Sequence, residues 1–272
     1  MVTEINDLRD FISALDSHGQ LARISKPVSI EYELADVGAS LARDGKGACL
    51  FENVTGSPWP VFCSGVASHE RAAIALGCDP SEVADTMAKV LDPSNGVATV
   101  EVDRASWHDN NFSGKDIDLA KLPILTHSRG DSGPFITGAV TIAKDPISGR
   151  GNLSYNRMSK LGKNILGFNV NEWRDVGTFW KSRENPDEPF PIALAMGLDP
   201  AIMIAAGIKT NVDELLIAGA IRAKPIEVCK GLTVDIDIPA SAEVVAEGFL
   251  HPTKREPEGP LAEFHGYHGE AW

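Results

Sequence analysis

The sequence predicts a mixed α/β and α+β chain, with an α/β unit over residues 1–110 followed by a β-rich α+β domain over residues 111–272. Three observations point there. Helical and strand patterns alternate through the first part, which is how an α/β layer is built. After Asp109-Asn110-Asn111, glycine and proline become frequent and β-branched runs appear, which suits short strands and turns, with a barrel carrying helices outside as one arrangement. Finally, 272 residues with 43% apolar content are enough for one large core or two ordinary ones.

Asn6 is a good N-cap, Leu8, Phe11, Ile12 and Leu15 repeat at helical spacing, and Gly19 is a stop signal, so a first amphipathic helix is expected. Leu21 to Ile24 reads as a short strand before Pro27, and Tyr32 to Arg43 as a helix with Leu34, Val37 and Leu41 inward. Cys49-Leu50-Phe51 and Trp59 to Cys63 form a strand pair around a turn at Thr55-Gly56-Ser57-Pro58. Ser68 caps a helix to Leu76, and Asp79-Pro80-Ser81-Glu82 opens another to about Val90. In the second part, Ile136 to Ala143 alternates as a strand, and Asp145-Pro146-Ile147-Ser148-Gly149 turns the chain back into Asn152 as a hairpin. Further strands are expected at Pro191–Met196, Ile202–Ala206, Ile226–Val228 and Thr233–Ile238, with helices at Trp173–Ser182 and Glu214–Ala223. There is no internal repeat and no low-complexity tract.

The formal net charge of -13 argues against nucleic acid or an anionic membrane as partner, leaving small molecules and proteins. The N-terminus has no basic segment followed by an apolar run, and no apolar stretch approaches the ~20 residues of a membrane span, so a cytoplasmic protein is expected. Cys49, Cys63, Cys78 and Cys229 lack CxxC or zinc-like spacing and read as reduced core thiols.

Two stretches could carry chemistry. In Glu258-Gly259-Pro260-Leu261-Ala262-Glu263 the Gly-Pro pair stops a helix, so two carboxylates share a stiff irregular loop. Different surroundings can split their pKa values and make one an acid while the other stays charged. The second stretch is Asn152-Leu153-Ser154-Tyr155-Asn156-Arg157. An amide oxygen can ligate a hard cation and a guanidinium can hold a carboxylate, although arginine on a β-surface is more often merely solvated. Glu214 is a further cation-ligand candidate whose simpler reading is a helix-start acid favoured by the macrodipole. His265 and His268 read as an exposed loop, His127 as a loop histidine, and Gly38, Gly45 and Gly47 do not make a GxGxxG fingerprint.

Taken together, the motifs resemble the UbiD family of decarboxylases, which use prenylated FMN. The matching segments are Leu122-Pro123-Ile124, Gly133-Pro134-Phe135-Ile136-Thr137-Gly138, Lys144-Asp145-Pro146 and Asn152 to Arg157. They continue through Gly219-Ala220-Ile221, Ile238-Pro239-Ala240 with Glu243, Glu247-Gly248, and Glu258 to Glu263 with Gly266-Tyr267. The resemblance implies a split-barrel, flavin-binding-like fold for the second domain. It implies that Arg157, Glu258 and Glu263 form the catalytic set, the last exchanging a proton with the substrate carbon. It places Asn152, Ser154, Tyr155, Asn156, Arg157 and Glu214 around the cofactor, and Asn152 and Glu214 as ligands of a manganese or magnesium ion, with potassium a further cation. The histidine that completes the metal set in several members is absent, and Glu172 is the expected substitute. A carboxylic acid substrate, a flavin prenyltransferase as cofactor supplier, and a homo-oligomer or companion subunit follow from the same likeness. Family members continue well past the final glutamate, so the family's C-terminal domain is expected to be missing or supplied by another polypeptide.

Overall fold

The computed structural model describes residues 4–262, 267 and 268. Helix α1 (Leu8–Ser17) is capped by Asp7, not Asn6: the Asp7 carboxylate accepts the Asp10 N–H at 2.8 Å, while Asn6 donates its own N–H to the Asp10 side chain. Strand β1 (Leu21–Ile24) crosses through α2 (Glu33–Arg43) to run parallel with β2 (Ala48–Phe51), and β3 (Val61–Cys63) returns antiparallel, giving a sheet in order β1-β2-β3. A helix is the usual crossover between parallel strands. Helices α3 (His69–Leu76) and α4 (Val83–Val90) follow, the first capped by Ser68 and the second entered through a turn with an Asp79/Glu82 capping box. Alternate residues of β2 face opposite ways: Ala48 packs with Phe11 and Leu15, Cys49 and Phe51 with Leu34 and Val54.

The second part contains β4 (Val100–Glu101), β5 (Phe135–Ile136), β6 (Val140–Lys144), β7 (Gly151–Tyr155), β8 (Met158–Lys160), β9 (Leu166–Phe168) and α5 (Asp175–Ser182). It continues with β10 (Phe190–Met196), α6 (Pro200–Ala205), α7 (Glu214–Arg222), β11 (Glu227–Lys230), β12 (Asp237–Pro239) and β13 (Val244–Leu250). These strands form three further sheets, ordered β13-β10-β6-β7, β12-β11-β4 and β5-β8-β9, and none closes on itself. The four-stranded sheet is the centre. Val140, Ile142, Ala193 and Ala195 pack on one face with α6 and α7, while Ala143, Ile192 and Leu194 pack on the other with α5.

Several strands differ from expectation. The run Ile136–Ala143 is two strands, because β5 pairs with β8 whereas β6 pairs with β7 and β10. The expected strand at Ile202–Ala206 is the helix α6, started by an Asp199 cap and Pro200 in its first turn. The expected strand Thr233–Ile238 shrinks to β12, since the Glu247 carboxylate captures the N–H groups of Leu232 and Thr233 at 2.7 and 2.5 Å and holds that stretch as a turn. Among the described residues no helix is long and apolar enough to cross a membrane, and the four cysteines are free thiols.

Candidate active site

Asn152 lies on β7, where the hairpin Asp145–Gly149 delivers it opposite Ala143. Its side chain is 3% exposed, and its amide donates to Glu214 Oε1 at 3.1 Å and to Asp175 Oδ2 at 3.2 Å. Glu214 is not the solvated helix-start acid its position suggested. Asp213 does the capping of α7 through the Leu215 N–H, and Glu214 turns inward, 1% exposed, accepting the Leu153 N–H at 2.8 Å. Burial, with Asp213 beside it, pushes its carboxyl up to about 7. Gly151 permits this approach, since a Cβ there would meet the Asp213 carboxylate at 2.4 Å.

The Asn152 Oδ1 is buried without a hydrogen-bond partner among the described residues. An orphaned buried amide oxygen is costly, and turning the amide over would bring that oxygen, in place of the nitrogen, beside the Glu214 and Asp175 carboxylates, an all-oxygen set of the kind a hard divalent cation takes. The donor chemistry therefore fits such an ion, with Asp175 as the third oxygen group. Among the described residues no three histidine, cysteine or carboxylate side chains form a metal cluster without an amide. Glu172 is not part of the group: it is exposed and paired with Lys181 on the surface. The loop before α5 turns Glu172 outward, and it is Asp175, the first residue of the helix, that faces Asn152. Nothing in the local sequence distinguished Asp175 from an ordinary helix-start acid.

Along β7 the pleat separates the other marked residues. Ser154 accepts a hydrogen bond from the Asn156 amide at 3.0 Å, keeping both half-buried beyond Asn152. Tyr155 lies on the opposite face, packed against the core; its hydroxyl donates to the Met203 carbonyl at 2.9 Å and burial pushes its pKa up to about 12. A phenol engaged in this way is a packing residue of the α6 contact, so Tyr155 does not stand with Asn152 and Ser154.

Arg157 follows at the entry to β8, where it meets Glu258 across 101 residues of chain. The contact is bidentate, Nε to Oε1 at 2.9 Å and Nη2 to Oε2 at 3.0 Å, with Glu258 4% exposed. Such forked, charge-assisted pairs fix orientation as well as charge. Glu263 and His265 lie outside the described residues. His268 sits 3.6 Å from Asp131, and His127 is a loop histidine contacting Thr137 at 3.3 Å, its pKa lowered by burial. Of two small hollows among the described residues, only the first borders these groups. One of about 60 Å³ is bordered by Asn152 and Asp213, and one of about 280 Å³ by Pro134, Lys160 and Lys163.

Two family models match the chain: the 3-octaprenyl-4-hydroxybenzoate carboxy-lyase N-terminal domain over residues 12–91, and the Rift-related domain of the same carboxy-lyase over residues 98–272. Solved structures agree. The UbiD-class enzyme HmfF from Pelotomaculum thermopropionicum, an evolved dimeric form in complex with prFMN, superposes with a TM-score of 0.91 at 36% identity, covering 98% of this chain and 62% of that one. The 3,4-dihydroxybenzoic acid decarboxylase of Klebsiella pneumoniae gives 0.85 at 31%, covering 98% and 60%. Vanillic acid decarboxylase (ShVdcCD) of Sedimentibacter hydroxybenzoicus, in its closed form, gives 0.92 at 27%, covering 98% and 59%. The chain thus spans about three fifths of the length of these proteins.

Proposed function

The chain belongs to the UbiD family of carboxy-lyases, and from that premise we propose that it catalyses reversible nonoxidative decarboxylation of an aromatic, heteroaromatic or α,β-unsaturated carboxylic acid with prenylated FMN. The observation that carries the reading is the buried, forked Arg157–Glu258 pair, which brings the mid-sequence polar strand against the acidic segment. In this reading residues 1–110 are a supporting α/β domain and residues 111–272 hold the cofactor in a split barrel, in a reduced cytoplasmic setting.

Loss of CO2 from an sp² carbon leaves a poor carbanion, and the cofactor supplies an electron sink for it. This chain's own residues do the rest. Asn152, Asp175 and Glu214 would hold a manganese or magnesium ion, and Ser154 and Asn156 would bind the cofactor beside it. Glu258 fixes the guanidinium plane of Arg157, leaving that side chain oriented to receive a substrate carboxylate. Glu263 is the proton carrier, delivering a proton to the carbon that loses CO2 and removing it in the reverse direction.

The test uses the chain co-expressed with a flavin prenyltransferase and assayed against a panel of such acids. Glu263→Gln should abolish CO2 release and substrate-dependent solvent deuterium exchange while leaving the circular dichroism spectrum unchanged. Normal exchange by that variant would remove Glu263 from the acid role.

A second reading, a subunit that needs a companion chain, is favoured by the ShVdcCD relative, one structure of which contains a truncated ShVdcD. Size-exclusion chromatography with flavin absorbance separates the two. A lone chain that keeps the coloured cofactor and releases CO2 excludes an obligatory partner.

A further inference from the structure

The acidic segment needs an anchor besides Arg157, and the structure supplies one in a residue the mechanism above does not use. Asp131 sits in the loop between Thr126 and Phe135, whose base is closed by the Phe135 N–H donating to the Leu125 carbonyl at 2.8 Å. Its side chain is completely buried. One oxygen, Oδ2, accepts the N–H groups of His127 at 3.0 Å and Ser128 at 2.7 Å, and so folds its own loop. The other, Oδ1, accepts the Ala262 N–H at 2.8 Å from 131 residues away, with His268 Nε2 at 3.6 Å on the same oxygen. The neighbouring Ser132 N–H donates to the Pro260 carbonyl at 2.9 Å. Gly130 makes room for this arrangement, because a Cβ there would meet the His268 ring at 2.4 Å.

The acidic segment is therefore held at both ends. Glu258 is bound by Arg157, Pro260 and Ala262 by the Asp131 loop, and Glu263 is the next residue in the chain. Both anchors belong to one sheet. The Asp131 loop runs directly into β5, β5 pairs with β8 through Ile136 opposite Met158, and Arg157 immediately precedes Met158. A buried carboxylate that accepts three backbone N–H groups from two separate segments is a cross-link, and its loss leaves donors unpaired on both sides.

We propose that Asp131 is a positioning residue that clips the stretch from Glu258 to Ala262 against the β5–β8 edge, so that Glu258 meets Arg157 at a fixed place; this rests on the decarboxylase reading above. Asp131→Asn separates the clip from the loop. Its single acceptor oxygen can keep the His127 and Ser128 N–H groups, while its amide NH2 then faces the Ala262 N–H donor to donor. Asp131→Ala removes both.

The experiment is hydrogen exchange by mass spectrometry on the full cofactor-loaded chain, with kcat and KM measured on the same preparations. In Asp131→Asn, peptides covering 258–262 should exchange faster while those covering 127–131 keep wild-type rates, and kcat should fall by roughly a hundredfold with KM unchanged, as expected when the catalytic set is misaligned rather than substrate binding lost. In Asp131→Ala both peptides should exchange faster. Wild-type exchange at 258–262 in Asp131→Asn overturns the proposal, and so does faster exchange with an unaltered kcat. If the loaded wild-type chain shows no turnover at all, the decarboxylase reading is what has failed, and exchange alone decides the clip: faster at 258–262 upholds it, equal overturns it.

Discussion

At the scale of single residues, the site rests on side chains whose exposure contradicts their chemical type. Glu258 is a carboxylate at 4% exposure whose charge is met by a fork from Arg157. Removing one member of such a buried pair typically costs about 3–5 kcal/mol. Glu258→Ala should lower the urea midpoint accordingly and Glu258→Gln should lower it less, because the amide still accepts one N–H; equal midpoints for wild type and Glu258→Ala would deny the pair its structural weight. The proposed divalent-ion group makes a sharper distinction. Asp175→Asn should weaken manganese binding about 10- to 100-fold by titration calorimetry, whereas Glu172→Gln, altering a surface partner of Lys181, should leave it alone. His127 gives a pH signature. Burial lowers its pKa below the ordinary 6.5, so the folded protein binds fewer protons there than the unfolded chain. Its contribution to stability is complete above pH 6.5 and is lost as pH falls through the folded-state value. His127→Asn should flatten that part of the urea-midpoint profile, and parallel profiles would assign the slope to other groups.

At the scale of elements, α6 shows where sequence reading went astray and why. Ile202–Ala206 is a short apolar run whose period cannot separate a strand from a buried helix. The deciding signal stood just before it, in Asp199-Pro200, a cap followed by a first-turn proline. Asp199 does more than cap. It accepts the Ala201 N–H at 2.7 Å and binds the Arg222 guanidinium, with both side chains under 10% exposed. Asp199→Ala should therefore destabilise the fold by about 4 kcal/mol in urea titrations, and Asp199→Asn, which retains the cap but not the charge, by less. The capped helices α3 and α4 and the β6–β7 hairpin were legible because their signals are local: Ser68, the Asp79/Glu82 pair, and the Asp145–Gly149 turn. Strands β8 and β9 have three residues each and β13 is half-buried along most of its length, so none shows a clean alternation.

At the scale of the molecule, the two parts of the chain share structure. Arg222 Nη1 donates to the Ala75 carbonyl on α3 at 2.8 Å, and Ile204 of α6 packs against the cluster around Phe11 and Leu15. Unfolding should follow one cooperative transition, with tryptophan fluorescence and far-ultraviolet circular dichroism coinciding; two separated midpoints would show that the first unit melts alone. The same long reach explains what the sequence left hidden in the candidate site. Asn152, Arg157 and Glu258 stand in recognisable short motifs, but Glu214 read locally as a helix-start acid, and Asp175 and Asp131 gain their meaning only from partners 23 and 131 positions away. No window of neighbouring residues contains that information. The 101-residue gap between Arg157 and Glu258 also sets an order of events during synthesis. The guanidinium leaves the ribosome long before the carboxylate that will neutralise it has been translated. Closing so wide a loop is slow, so it comes after local helices and hairpins have formed. A nascent polypeptide halted before residue 258 owns every strand of the central sheet and still lacks the carboxylate that binds its mid-sequence guanidinium.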